Sequence, residues 1–264
     1  MLIAHFSDIH VAPEGKLALH DVDTATALSH CVQHINNLVP QPNLIVITGD
    51  LTSEGSPEEY AVLRSNLALL DQPYFFVPGN HDNRANLRAA FSDIRYLQNS
   101  REFVQYAVDE YPVRLVALDT VSPGDHFGIL CERRLDWLDR TLAAQTQKPT
   151  LLFMHHPPFS SGSAHMDTMK LMNSEQLAGV LRKYDNITMI LCGHLHRPVQ
   201  TIWANIHTLA ASSIAKQFSL ELSSEETSVL NQEPKSMYLH LLTSDGFVTH
   251  TSLISDPEGQ LTQS

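Results

Sequence analysis

The sequence predicts an α/β layered domain, because short apolar segments of strand length alternate with amphipathic segments of helical length. The chain has 264 residues, enough to bury one large core, so a single domain over residues 1–264 is expected. Most of the apolar segments are near-continuous rather than alternating, which is typical of strands covered on both faces. Together these observations favour sheets that lie between layers of helices.

The helices are indicated by apolar residues that recur every three or four positions. The first begins near Asp21 or Asp23, either of which is suited to be its N-cap. The second begins with a capping box, in which Ser56 is the N-cap, Pro57 the first helical residue and Glu59 the reciprocal partner. The helical pattern covers residues 21–39, 56–70, 84–91, 132–144 and 174–184.

The strands are indicated first by six apolar runs. These are LIAHF (2–6), NLIVI (43–47), YFFV (74–77), RLVAL (114–118), TLLFM (150–154) and ITMIL (187–191). After residue 196 the pattern changes to alternation of polar and apolar residues, and Asp245-Gly246 is a hairpin signal, so antiparallel strands are expected there. The polar stretch 221–236 is predicted to be a surface loop.

Composition excludes several classes of protein. Lys and Arg number 17 against 29 Asp and Glu, and the formal charge of −12 disfavours nucleic-acid polymers and anionic membranes as partners. No apolar run approaches the length of a membrane span, and no basic segment precedes an apolar one at the N-terminus, so a soluble, cytoplasmic protein is expected. The cysteines, Cys31, Cys131 and Cys192, are few and widely spaced, which predicts reduced, mostly buried thiols.

Five of the apolar runs stop at side chains that bind metals or transfer protons. They end in Ser-Asp8-Ile-His10, Gly-Asp50, Pro-Gly-Asn80-His81-Asp82, His155-His156 and Gly-His194-Leu-His196. Strand ends in open α/β sheets are where ligands bind, so these groups are expected to converge at one edge. Such a density of carboxylates and imidazoles requires a cation.

Each motif alone has a simpler interpretation. Gly-Asp50 after a strand is usually a turn, and Pro-Gly-Asn80-His81 is also typical of a turn or loop. His194 and His196 are a stronger signal, because residues i and i+2 of an extended segment point the same way. Five independent turns would not all select metal-binding residues, so the combined pattern favours a metal site.

The motifs D-x-H, G-D, G-N-H-D, a separate His and G-H-x-H occur in this order, and the sequence thereby resembles the calcineurin-like metallophosphoesterases. MLIAHFSDIH, PGNHD, FMHHPP and CGHLH are most similar to the bacterial branch of cyclic-nucleotide and glycerophosphodiester phosphodiesterases. The resemblance implies a four-layer α/β/β/α sandwich of two mixed sheets flanked by helices. It also implies that the β-rich part at about 197–255 completes the second sheet and offers an oligomer contact.

The resemblance further implies a site with two divalent or mixed-valence transition metal ions, drawn from Fe, Mn, Co or Zn. The first ion would be held by Asp8, His10 and His196, the second by Asn80, His155 and His194, with Asp50 bridging the two. Asp50 and His81 would be the catalytic residues, and Asn80 and His81 would contact the substrate. His81 would stabilise charge at phosphorus or protonate the leaving oxygen.

Several roles stay open on sequence alone. Asp82 is either a loop-capping residue or one that orients the site, and His156 either supports a ligand or simply packs. Some relatives place a histidine near Lys216 to contact substrate, and the register there is uncertain. The loop 159–173 is a candidate specificity wall.

The implied reaction is hydrolysis of small phosphodiesters, either a 3',5'-cyclic nucleotide or a glycerophosphodiester, by in-line attack of a metal-bound hydroxide. The alternatives are a phosphomonoesterase, a nuclease, or a non-catalytic scaffold on the same fold. A serine hydrolase based on Ser160 or Ser161 is disfavoured, because the chain lacks a G-x-S-x-G motif. Relatives imply a homo-oligomer, a dimer or higher.

Overall fold

Thirteen strands and six α-helices alternate along the part of the chain that the computed structural model describes, namely residues 1–98, 100, 102–222 and 229–255. The strands are β1 (Leu2–Phe6), β2 (Leu44–Ile47), β3 (Tyr74–Phe76), β4 (Tyr106–Val108), β5 (Arg114–Leu118), β6 (Thr150–Met154), β7 (Ile187–Cys192), β8 (Val199–Trp203), β9 (Ile206–Ala210), β10 (Gln217–Phe218), β11 (Leu230–Asn231), β12 (Ser236–Thr243) and β13 (Gly246–Leu253). The helices are α1 (Thr24–Asn36), α2 (Pro57–Leu67), α3 (Arg84–Ala90), α4 (Glu132–Ala143), α5 (Ala164–Asp167) and α6 (Ser174–Leu181), with a 3₁₀ helix at Arg95–Gln98. The predicted alternation of strands and helices is confirmed.

The helix starts follow from local hydrogen bonding. Asp23 is the N-cap of α1, because its carboxylate accepts a hydrogen bond from the backbone N–H of Thr26 at 3.0 Å. The predicted capping box of α2 is present: Ser56 Oγ accepts from the N–H of Glu59, and the Glu59 carboxylate accepts from the N–H of Ser56. Asp21, the alternative N-cap, forms an ion pair with Lys216 instead.

The strands form two large mixed sheets and one small antiparallel pair. The first sheet has five strands in the order β13-β12-β1-β2-β3, and the second has six in the order β4-β5-β6-β7-β9-β8. In each sheet the central strands run parallel, whereas β12, β13, β4 and β8 are antiparallel to their neighbours. β10 pairs with β11. The parallel centres bring their strand ends to the same side.

Both faces of β6 are buried, in two different cores. Leu151 and Phe153 belong to the core that also contains residues of the first sheet and of α1 and α2. Leu152 and Met154 belong to the core that contains residues of α4 and α6. This burial on both faces explains why the central strands are continuous apolar runs. The fold is thus two mixed sheets flanked by helices, as predicted.

The part after residue 196 departs from the prediction in three respects. Its strands complete both sheets rather than the second alone, since β8 and β9 join the second sheet and β12 and β13 the first. β9 is parallel to β7, because the chain first forms the edge strand β8 and then returns between β7 and β8. The stretch 221–236, predicted to be a loop, contains β11, and its residues 223–228 lie outside the described residues.

The three cysteines are free thiols, and Cys31 and Cys192 are buried in the cores, as predicted. Of the helices within the described ranges, none combines the length and the apolar character needed to cross a membrane.

Two buried histidines in the first sheet predict acid sensitivity. His5 Nε2 lies 2.9 Å from Thr48 Oγ1, and His240 contacts both His5 at 3.3 Å and Thr249 Oγ1 at 2.8 Å. Burial lowers the pKa of both imidazoles, that of His240 to about 3. Because an unfolded histidine titrates near 6.5, the unfolded chain binds more protons below that pH. Stability should therefore fall as the pH drops from about 6.5 towards 3, by up to about 1.4 kcal/mol per pH unit for each histidine.

The measurement is the free energy of unfolding in urea at pH 7, 6 and 5, for the unaltered chain and for His240→Gln. Glutamine keeps hydrogen-bonding capacity without a charge, so its curve should fall less steeply with acid. The comparison cancels the titration of the remaining groups. Parallel curves for the two proteins would mean that His240 does not contribute to acid sensitivity.

Candidate metal centre

The ends of five strands, three from the first sheet and two from the second, meet in one place. Asp8, His10, Asp50 and His196, which we call the first cluster, are buried, and their ligand atoms lie within 4.8 Å of one another. The neighbouring residues Asn80, His155 and His194 form what we call the second cluster. Asp50 joins them, since its Oδ2 lies 3.4 Å from Nε2 of His10 and 3.4 Å from Nε2 of His155. The predicted convergence of strand ends is confirmed.

The first cluster is held by short contacts between buried groups. Nε2 of His10 lies 3.0 Å from Nε2 of His196, and the latter atom lies 3.7 Å from Oδ1 of Asp8. Both carboxylate oxygens of Asp8 lie 3.0 Å from the backbone N–H of His194, which donates to them. Nδ1 of His196 donates to the carbonyl of Lys216 at 2.8 Å. Its Nε2 is therefore turned towards the cluster.

The second cluster is oriented in the same way. Nδ1 of His155 donates to the carbonyl of Thr48 at 2.7 Å, which directs Nε2 towards the site. That Nε2 lies 3.1 Å from Oδ1 of Asn80 and 3.2 Å from Nδ1 of His194. A hydrogen bond from the far ring nitrogen to a carbonyl is the usual way in which a metal-binding histidine is oriented.

These contacts fit a cation better than they fit the protein alone. When His155 and His196 donate from Nδ1, the neutral rings carry a lone pair on Nε2. The lone pair of a neutral His155 then faces the carbonyl oxygen of Asn80, which is also an acceptor. Acceptors that face each other at about 3 Å repel unless a proton or a metal ion lies between them. The residues present therefore suit metal ions.

The electrostatics agree with this arrangement. Burial lowers the pKa of His10 and His194 well below the ordinary value, which keeps both imidazoles neutral and able to bind metal. Burial also lowers the pKa of His155, but the charge and hydrogen bond of Asp50 together with the charge of Asp8 raise it to about 9, so the surrounding carboxylates favour a proton or another cation at this ring. Burial raises the pKa of Asp50, yet the neighbouring His155 and His10 hold it well below its usual range. Asp50 is thus an anion among imidazoles.

The backbone of the site is strained. Nine non-glycine residues of the described chain have positive φ, and five of them belong to the two clusters. They are Asp8 (53°), His10 (48°), Asp50 (46°), His194 (72°) and His196 (50°). This left-handed conformation costs of order 1–3 kcal/mol for such residues and concentrates at functional sites. The surrounding structure holds the side chains in place at a cost to stability.

Gly79 lies so close to Asp50 that a larger residue would not fit, whereas Gly179 has open space around it, and the two glycines can be compared by mutation. A Cβ at Gly79 would lie 2.1 Å from Oδ1 of Asp50, whereas a Cβ at Gly179, exposed in α6, would meet nothing within 4 Å. We expect Gly79→Ala to displace Asp50 and to lower both metal content and the unfolding temperature. Gly179→Ala should leave both unchanged or raise stability by about 0.5–1 kcal/mol, because alanine favours a helix. Equal behaviour of the two variants would contradict this packing.

Asp82 organises the loops behind the site. Its carboxylate accepts hydrogen bonds from the backbone N–H groups of Gly79, Leu51 and Thr52, at 2.8, 3.0 and 3.2 Å, and from the hydroxyl of Tyr60 at 2.9 Å. These bonds tie the loop that carries Asp50 to the loop that carries Asn80 and His81. Of the two predicted roles for Asp82, the structure favours orientation of the site.

His81 lies beside the clusters and is half-buried. Its backbone N–H donates to Oδ1 of Asp50 at 3.0 Å, and its Nδ1 donates to the carbonyl of Ser53 at 2.8 Å. Its ring packs edge-on against His10, with centroids 4.7 Å apart. Burial lowers the pKa of His81, but the charge of Asp50 raises it above the ordinary value overall. Its position agrees with a role next to the metals rather than among the ligands.

Residues 1–198 match the family model described as calcineurin-like phosphoesterase. The chain belongs to this family. It is 39% identical over 261 residues to a probable glycerophosphodiester phosphodiesterase, GpdQ, from Arcobacter nitrofigilis, with 98% of this chain and 95% of that protein covered. It is 29% identical over 247 residues to the 3',5'-cyclic adenosine monophosphate phosphodiesterase CpdA of Escherichia coli, with 94% and 87% covered.

The fold of this calcineurin-like phosphoesterase also matches solved structures. A dimetal phosphatase from Danio rerio superposes with a TM-score of 0.68 at 15% identity, covering 96% of this chain and 99% of that one. At this identity the match concerns the fold alone.

Two residues near the site have other partners. Nδ1 of His156 lies 2.7 Å from Thr120 Oγ1, and its Nε2 lies 3.1 Å from the carbonyl of His126. Both ring nitrogens therefore have hydrogen-bond partners, although His156 lies close to His155 and His194. Lys216 pairs its ammonium group with Asp21, and it is the carbonyl of Lys216 that contacts the site.

The loop 159–173 contains α5 and is held together by hydrogen bonds between its own residues. The carboxylate of Asp167 accepts from the backbone N–H and the hydroxyl of Ser161, and the hydroxyl of Ser160 accepts from Lys170. Neither serine is paired with a histidine. A role of this loop in specificity stays a prediction.

Two polar residues that follow β5, His126 and Asp119, were not predicted to lie near the site. His126 lies against Asn80, with 3.2 Å between its Nδ1 and the Asn80 amide nitrogen. Asp119 follows RLVAL, the remaining one of the six apolar runs, but it pairs with Arg84 at 2.6 Å rather than joining the site. The sequence offered only a weak signal for His126, a Gly-Asp-His turn that follows an apolar run, as in the other motifs.

Proposed function

We propose that this calcineurin-like phosphoesterase hydrolyses small phosphodiesters, a 3',5'-cyclic nucleotide or a glycerophosphodiester, with two transition metal ions. The observation that carries the proposal is that Oδ2 of Asp50 lies 3.4 Å from a histidine of each cluster. The activities in the names of the relatives from A. nitrofigilis and E. coli support the choice of substrate class.

The ligand assignment that we propose follows the contacts. The first ion would be held by Asp8, His10 and His196 and the second by Asn80, His155 and His194, and both would share Asp50. Carboxylate, amide and imidazole groups without thiolate suit divalent or mixed-valence Fe, Mn, Co or Zn. When bound, the two ions supply positive charge for the phosphate group and lower the pKa of water.

The residues of the chain supply orientation and a proton. Asp50 keeps the two halves of the site together, because its Oδ2 lies 3.4 Å from a histidine of each cluster and its Oδ1 accepts from the backbone of His81. His81 is fixed through Nδ1, which donates to the carbonyl of Ser53, so Nε2 is the ring nitrogen left for the substrate. When protonated, Nε2 of His81 would give its proton to the oxygen of the departing alcohol or donate a hydrogen bond to an oxygen of the phosphate group.

Charge favours a small diester as the substrate. The chain carries a formal charge of −12, which repels polyanions such as nucleic acids. A diester brings one negative charge, whereas a monoester dianion binds both ions and resists attack by an anionic nucleophile.

We also propose that the protein acts in the cytoplasm as a homo-oligomer.

The experiment compares kcat/KM for four substrates on one metal-loaded preparation. The substrates are bis(p-nitrophenyl) phosphate, 3',5'-cyclic adenosine monophosphate, glycerophosphoethanolamine and p-nitrophenyl phosphate. We expect the monoester to be much poorer than the best diester. A monoester that is the best of the four would identify a phosphatase, and no turnover with metals bound would identify a non-catalytic scaffold.

A further inference from the structure

An exposed histidine that the proposed mechanism does not use lies against the second cluster. Nδ1 of His126 is 3.2 Å from Nδ2 of Asn80, and its ring lies 6.0 Å from that of His81 between centroids. His126 comes from the segment after β5, which is remote in sequence from the strand ends that carry the clusters. It is thus an additional contact to a residue of the site.

The segment that carries His126 is fixed by buried groups. The carbonyl of His126 accepts a hydrogen bond from Nε2 of His156 at 3.1 Å, and Nδ1 of His156 lies 2.7 Å from the hydroxyl of Thr120. Gly128 permits this close approach, since a Cβ there would lie 2.6 Å from Cγ of His156. A buried framework therefore fixes the backbone of His126, whose imidazole lies against Asn80.

The amide of Asn80 needs such a partner. It has an oxygen at one end and an NH₂ group at the other, and only the oxygen can bind a cation. Oδ1 of Asn80 faces Nε2 of His155, while its NH₂ group faces Nδ1 of His126. A rotation by 180° would turn the NH₂ group towards the cation and bring the carbonyl oxygen against the lone pair of His126. Both contacts would then be repulsive.

We propose that His126 is a positioning residue that accepts a hydrogen bond from the Asn80 amide and so directs its oxygen to the second metal ion. The inference rests on the proposed two-metal site. Asparagine is a neutral and weak ligand, so the affinity of the second ion depends on this orientation more than that of the first. Groups that orient metal ligands typically change metal affinity by about 10–100-fold when removed.

The test is a titration of metal-depleted full-length protein with Mn²⁺ by calorimetry. We expect His126→Ala to weaken one of two bound ions by about 10–100-fold and to leave the other unchanged. His126→Asn should restore most of the affinity, because its side-chain oxygen can occupy the place of Nδ1. His250→Ala, an exposed histidine on β13, is the matched control and should bind both ions normally.

A double-mutant cycle decides whether His126 acts through Asn80. In an Asn80→Ala background, His126→Ala should cause no further loss of Mn²⁺ affinity, because the amide that it orients is gone. Additive losses would overturn the proposal, and so would wild-type affinity for both ions in His126→Ala or a failure of His126→Asn to exceed alanine. If the unaltered chain itself binds fewer than two ions, the proposed two-metal function fails instead.

Discussion

Replacement of Asp50 by asparagine should release both metal ions and lower kcat/KM for a diester by about 10³-fold or more, since a metal site supplies several kcal/mol of transition-state stabilisation. The physical reason is its position, because Oδ2 contacts a histidine of each cluster at 3.4 Å. The uncharged amide would also remove the anion that screens two cations from each other. The measurements are metal content after dialysis and diesterase kinetics.

Asp8→Asn is the matched comparison for this prediction. Asp8 is equally buried, but its carboxylate lies in the first cluster and accepts from the backbone N–H of His194. Asp8→Asn should therefore weaken the binding of the first ion and lower activity less than Asp50→Asn does. Equal losses, or a larger loss for Asp8→Asn, would show that Asp50 does not bridge.

His81→Ala should retain both metal ions and lower kcat by about 10²-fold or more, the usual effect of a lost acid or charge-stabilising group. The hydrogen bond from His81 to Asp50 comes from its backbone N–H, which alanine keeps, and alanine loses only the packing of the ring against His10. If His81 protonates the departing oxygen, the loss should be larger for glycerophosphoethanolamine than for bis(p-nitrophenyl) phosphate, whose leaving group is already acidic. The measurement is kcat for both substrates at full metal occupancy.

His155→Ala is the control with the opposite outcome. Its Nε2 faces Asn80 and His194, so its removal should release the second ion together with the activity. Loss of metal from His81→Ala as well would place His81 among the ligands or in the structural framework.

The sequence predicted the features that depend on local chemistry. The apolar runs predicted strands that are buried on both faces, and the Ser56 capping box predicted the start of α2. The polar residues at the strand ends predicted the position of the clusters. Each of these is written in a few adjacent residues. The convergence of Asp8, Asp50 and the histidines is confirmed, while their roles as metal ligands stay predictions.

The features that the sequence did not predict depend on tertiary partners. Asp50 and Asp119 both follow an apolar strand, but one lies between two imidazoles and the other pairs with Arg84. The N-cap of α1 is Asp23, whereas Asp21 pairs with Lys216, nearly two hundred residues away. Sequence spacing carries no information on such pairings.

The most direct test of the two-metal account is the number of metal ions per chain, followed together with activity. The protein is depleted of metal and titrated with Mn²⁺, while bound Mn²⁺ and hydrolysis of bis(p-nitrophenyl) phosphate are measured on the same samples. We expect close to two ions per chain, with activity that appears as the second ion binds. Full diesterase activity at a stoichiometry fixed at one ion per chain would contradict the account.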